Sequence, residues 1–255
     1  MIRNYIGKEL IPPEKHFRWR GGELTRLEGF TDAVFAFAVT LLVVSLEVPK
    51  TYAELMVAMK GFVTFAVCFS TLVWVWYHHY IFSRRYGLET TFTIVMNAVM
   101  VFMVLFYVYP LKFLFTLMVG EITHGATLSG ERLEEMLTPV QVPGLMTIYS
   151  IGFASVFAIF AVLYRYAWNR RVELDLNEYE ALRTRIAVWN HTAMVVIGLM
   201  VAIAARLLPV RLAGASGYLF FLITIYHTIA GMALGKRERL ALERLQAEER
   251  GPETS

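Results

Sequence analysis

The chain has a single cysteine, Cys68, in 255 residues. No intramolecular disulfide can form, and its place inside an apolar run makes it a small buried residue rather than a reactive thiol. Charge is also scarce: 18% of residues are charged, against about a quarter in a soluble domain. There is no phosphate-binding Walker loop, dinucleotide fingerprint, zinc-spaced cysteine pair or nucleophile elbow, which removes the common soluble enzyme classes. No metal site is expected. His78 and His79 are adjacent, hence about 100° apart on a helix, and no Glu-x-x-His pattern accompanies them. Residues 1–29 lack an apolar core and do not read as a cleavable signal peptide.

What the chain has instead is apolar sequence, 57% of all residues. It is gathered into six runs, Phe30–Leu46, Leu55–Tyr80, Phe92–Met118, Gly144–Trp168, Val188–Leu208 and Gly217–Gly235. Each approaches the roughly 20 residues that carry a helix across a bilayer. The runs are continuous rather than alternating, which excludes the strands of a membrane barrel. Helices satisfy their own backbone polar groups in lipid, so the fold class is an all-α polytopic membrane protein with six transmembrane helices. Three parts follow: an N-terminal segment, 1–29; a six-helix domain, 30–235; and a charged, leucine-spaced helix or tail, 236–255. The longest connection, near Gly120–Pro143, has room for a short surface helix.

Placing the N-terminus on the cytoplasmic side puts 18 of the 24 lysines and arginines on that side. The positive-inside rule therefore sets both termini in the cytoplasm. Membrane topology accounts for the basic N-terminus without nucleic-acid binding.

Polar residues inside the runs are costly in lipid and carry the most information. Asp32, His78, His79, Asn97, Asn190, His191 and His227 fall at one depth, toward the cytoplasmic ends, once helix direction alternates. The plain reading of such a layer is hydrogen bonding between helices. The sharper reading is ion, proton or substrate chemistry.

The first run reads Arg26-Leu-Glu-Gly-Phe30-Thr31-Asp32 followed by AVFAFAVTLLVVSLEVP. It resembles the R-x-x-x-F-S-D signature of the transmembrane-protein-175 family of potassium channels, with Thr31 in place of serine and the hydroxyl kept. The second run ends WVWYHHYIF, similar to the family's tryptophan and His-His-x-x-Phe ending, with Trp74 or Trp76 as the tryptophan. The third contains Asn97 and ends YVYP, like the family's aromatic-proline ending. The resemblance implies a homotetramer in a prokaryotic cell membrane. The first helix of each subunit would line a central pore and potassium would be the permeant ion, with no cofactor. Shared depth and off-stripe placement point to a structural polar network of Arg26, Asp32, His78 and Asn97, beside the Phe30 and Thr31 of the signature.

Helical geometry is compatible with that arrangement. Phe30, Ala33, Phe37, Thr40, Leu41 and Val44 form one stripe, and Asp32 lies about 140° around the helix from Phe37. Phe37 takes the position where the family carries Ile or Leu and is expected to form a hydrophobic constriction, with Thr40, Leu41 and Val44 lining the path. The stripe has no carboxylate and no carbonyl-filter sequence, so modest selectivity for potassium would rest on the cost of dehydration. A secondary transporter or integral-membrane enzyme using the polar layer, and a sensor or scaffold without transport, are the other readings.

Overall fold

The structure is a computed structural model that describes residues 16–22, 24–44, 49–122 and 137–250. Its described helices are α1 (Arg26–Val44), α2 (Tyr52–Lys60), α3 (Phe62–Tyr86), α4 (Thr91–Ile122), α5 (Val142–Asn169), α6 (Glu178–Leu207) and α7 (Phe221–Arg250), with 3-10 turns at Pro139–Gln141 and Val210–Phe220. Among the described residues, five stretches are long and apolar enough to cross a membrane: Phe62–Tyr86, Thr91–Met118, Pro139–Asn169, Glu178–Leu207 and Val210–Arg244. Helix α1 carries Arg26, Glu28 and Asp32 in its first two turns. Its 19 described residues span about 28 Å at 1.5 Å per residue, close to the hydrocarbon thickness of a bilayer.

Boundaries differ from expectation where local chemistry overrides hydropathy. The run from Leu55 to Tyr80 is not one helix: α2 ends at Lys60 and α3 starts after Gly61. Helix α3 then continues to Tyr86, because Arg84 and Arg85 in its last turn complement the negative end of the helix dipole. Helix α6 begins ten residues before Val188. There Asn177 accepts from the Glu180 backbone N–H at 2.8 Å, and the Glu180 carboxylate accepts from the Asn177 N–H at 3.1 Å, a reciprocal cap that starts a helix ahead of the apolar run. Helix α7 passes through Gly235 without a break. Its charged end is tied to α6 by Arg183–Glu238 at 2.8 Å and Arg244–Glu178 at 3.0 Å. The expected surface helix falls mostly on residues 123–136, outside the described residues, as do residues 1–15 and 251–255.

The largest core joins one face of α1 (Phe35, Ala38, Leu42) to α3 (Cys68, Leu72, Phe82, Tyr86), α4 (Met100, Val104, Val108) and α5 (Phe160, Leu163, Tyr164). A smaller cluster around Phe157, Met194 and Ile197 joins α5 to α6, the most extensive helix pair. Helix α7 packs Leu222, Ile223 and Tyr226 against the smaller cluster, and Ala241 is the buried residue among its described side chains.

Residues 16–22 close the basic end of the bundle. Phe17 is buried, edge-on to Tyr86 at 5.9 Å between centroids. Arg20 and Gly21 donate backbone N–H groups to the Arg84 carbonyl at 3.0 and 3.1 Å. The chain passes so close to the end of α3 that a side chain on Gly21 would put its Cβ 2.6 Å from the Ser83 oxygen. Gly87 caps α3 at φ 55°, ψ 31°, the left-handed conformation that glycine adopts without penalty. Glu180, 1% exposed, accepts from the Arg18 backbone N–H at 2.7 Å and is paired with the Arg20 guanidinium. One buried carboxylate thus starts α6 and fastens the N-terminal segment.

Candidate functional site

Helix α1 shows two unlike faces. Phe35, Ala38 and Leu42 are buried, whereas Phe30, Ala33, Phe37, Thr40 and Val43 are exposed. Their spacing of three and four residues makes one continuous stripe on a helix. Phe30 and Phe37 are 57% and 55% exposed, high values for phenylalanines inside an apolar helix. Leu41, expected on this stripe, is partly buried and packs against the main core, and Val43 takes the outward place at its level. The reason is geometric: Leu41 stands about 100° around the helix from Thr40, on the side of Leu42. The Val44 side chain lies outside the described residues. The Thr40 hydroxyl donates to the Phe37 carbonyl at 2.7 Å, so its oxygen lone pairs remain available.

Asp32 turns the other way. The indole N–H of Trp76 donates to Asp32 Oδ1 at 2.7 Å, which identifies Trp76 rather than Trp74 as the tryptophan beside α1. Thr31 is fully buried and bonds back to the Leu27 carbonyl at 2.9 Å. On the same side of α3 lie His79 and, from α4, Asn97, 2% and 3% exposed. Asn97 donates to the Thr93 carbonyl at 2.8 Å. His79 Nε2 and Asn97 Oδ1 are buried and make no hydrogen bond.

The expected network is corrected at two members. His78 does not join Asp32 and Asn97; His79 takes that side. Consecutive helical residues diverge by about 100°, so only one of the two histidines can face α1 and α4. Arg26 is exposed on α1 and stands apart from the buried set, because six residues separate it from Asp32 and place it on another face.

His78 faces a second polar region on the far side of α3. Trp74 meets it edge-on at 5.0 Å and His191 at 5.4 Å. His191 is buried against Phe160 and Tyr164, at 5.4 and 5.0 Å. Trp74, His78, Tyr164 and His191 line a cavity of about 520 Å³ that also takes in Arg85, Arg183, Asn190 and His227. It draws on α3, α5, α6 and α7. Four of the residues expected at one depth, His78, Asn190, His191 and His227, therefore belong here. Among the described residues, no cluster of three or more His, Cys, Asp or Glu side chains could hold a metal.

Comparison with known proteins agrees with this geometry. Residues 26–107, from the first residue of α1 into α4, match the family described as endosomal/lysosomal potassium channel TMEM175. A potassium channel of Marivirga tractuosa is 34% identical over 238 residues, covering 89% of this chain and 94% of that relative. The crystal structure of a threonine-to-alanine variant of the potassium channel MtTMEM175, in complex with a nanobody fusion protein, superposes with a TM-score of 0.79 at 32% identity. It covers 89% of this chain and all of the other.

Proposed function

This chain belongs to the TMEM175 family of potassium channels, and on that premise we propose that it is a passive, potassium-favouring channel whose pore is lined by α1 from four copies around one axis. Its family and relatives are channels rather than enzymes. The observation that carries the reading is the division of α1: Asp32 is turned inward onto Trp76 while Phe30, Phe37, Thr40 and Val43 stand outward on a helix that is otherwise packed. One helix cannot enclose a channel. A second copy that covers this apolar stripe, and a third and fourth that close the ring, turn it into the wall of a passage. The basic end of the bundle, with Arg18, Arg20, Arg84, Arg85, Arg170 and Arg171, faces the cytoplasm by the positive-inside rule.

Phe37 is the proposed constriction. Four phenyl rings on an axis leave a narrow, poorly wetted passage, and an ion entering it must shed water. That cost is lower for potassium than for sodium, whose charge is concentrated on a smaller surface. The Thr40 oxygen, just under one helical turn further on and on the same face, is the polar acceptor on the path. Selectivity of this kind is a difference in dehydration and is modest compared with a cage of carbonyls.

Planar-bilayer recording with potassium on one side and sodium on the other tests the proposal. Phe37→Ala is expected to raise current and move the reversal potential toward zero, and Phe37→Asn to raise current by holding water at the narrowing. Unchanged conductance and reversal potential in both would remove Phe37 from the constriction and bring Val43 forward. A conducting monomer, measured by mass in native lipid, would end the four-copy pore.

A further inference from the structure

We propose that the cavity between α3, α5, α6 and α7 is a binding site for an anionic phospholipid, with its phosphate among Arg85, Arg183 and His191 and an acyl chain along Trp74, Met194 and Ile223. The site is separate from the α1 stripe and from the Asp32–Trp76 contact. At about 520 Å³ it falls within the range of small-molecule pockets.

Its chemistry is one-sided. No aspartate or glutamate lines it, while two guanidinium groups and three imidazoles do. The cations are held in place before any ligand arrives. Arg85 lies over the Phe17 ring at 4.9 Å, and Arg183 is bonded to Glu238 at 2.8 Å. Asn190 accepts the Tyr226 hydroxyl on its carbonyl at 3.1 Å, so its remaining polar group is a donor. The planar guanidinium fork can donate two N–H groups to two oxygens of a phosphate, a match no other side chain offers. Histidine N–H groups add donors at the same level.

Two other ligand classes fit poorly. The aromatic walls alone suit a quaternary ammonium, but two guanidinium groups repel one. A divalent cation lacks carboxylate ligands here. The apolar part of the lining decides between a soluble anion and a lipid. Trp74, Met194 and Ile223 are apolar, and the cavity opens between helices whose outer surfaces are hydrophobic. Basic pockets between membrane helices are a recurrent home of anionic headgroups.

The test is native mass spectrometry of the full chain released from nanodiscs of phosphatidylcholine with and without phosphatidylglycerol. We expect one phosphatidylglycerol per subunit to survive delipidation and phosphatidylcholine not to. Arg183→Gln should weaken retention by about tenfold or more, the usual worth of a charge-assisted hydrogen bond. Arg185→Gln, which removes the same charge from an exposed position outside the cavity, should leave retention unchanged. Ala187→Leu fills the cavity without altering charge and should also expel the lipid, which keeps the test decisive should Arg183→Gln fold poorly. Equal retention of the two lipids, equal losses in the two arginine variants, or full retention in Ala187→Leu would each overturn the site. So would protection by inorganic phosphate that equals protection by the lipid, since that would identify a soluble anion.

Discussion

His78 and His79 are consecutive residues, yet they belong to unlike regions. On the His79 side of α3 the packing is dense: Thr31, His79 and Asn97 are buried and Trp76 reaches Asp32 directly. On the His78 side the helices stand apart around a cavity. The dense side holds the helix with the exposed stripe, and the open side holds the basic residues. A single turn of helix is thus enough to separate a region that fixes geometry from one that has space for a ligand. Polarity alone does not distinguish them, because both contain histidine, asparagine and an indole.

The contrast can be broken most severely at the point where both regions are fastened. Glu180 is buried and paired with Arg20. Glu180→Ala leaves that guanidinium with an uncompensated charge, at a cost of about 3–5 kcal/mol. Thermal unfolding in detergent should show it as the largest loss of any substitution proposed here, and a melting profile like the parent's would mean the clamp is dispensable. The two tryptophans sharpen the contrast next. Trp76→Phe removes the donor to Asp32 and should cost about 1–3 kcal/mol. Trp74→Phe, at a side chain 46% exposed in the chain, should cost less than about 1 kcal/mol. If the order reverses, the dense side is not the one that sets stability.

A finer break concerns His79 and Asn97. Each holds a buried polar atom without a hydrogen bond, so His79→Phe or Asn97→Leu removes an unsatisfied group and should cost less than about 1 kcal/mol, with the double variant nearer neutral still. A double-mutant cycle by chemical denaturation reads the coupling, and strict additivity would separate the pair energetically. The smallest effect is expected at the end of α7. Arg244 and Glu178 form a pair whose side chains are 68% and 64% exposed, and Arg244→Gln should change the melting temperature hardly at all, consistent with about 0–1 kcal/mol for surface pairs.

Several of these features are legible in the chain and others are not. The inward turn of Asp32 follows from its angle to Phe37, since helical periodicity is local. Periodicity admits Leu41 to the outward stripe because a broad apolar stripe accepts either neighbour, and only the packing of Leu42 into the core decides which one turns in. The choice between Trp74 and Trp76, and between His78 and His79, depends on how α3 is rotated against α1. That rotation is a tertiary quantity, and a uniformly apolar helix gives little periodicity from which to read it. The Asn177–Glu180 cap is a local pattern and could have been read from its spacing. Its second role, accepting Arg20, could not, because those residues are 160 positions apart. The cavity draws on four helices and has no contiguous motif.

That separation has a consequence in time. Residues 16–22 are synthesised well before their docking surface is complete, because it includes the end of α3 and a carboxylate 160 residues downstream of Arg20. At about 5–20 residues per second of translation, Arg20 waits on the order of ten seconds for Glu180 to be made. During that interval the segment can reach the end of α3 but not Glu180, so the basic end of the bundle stays unfastened until α6 has begun.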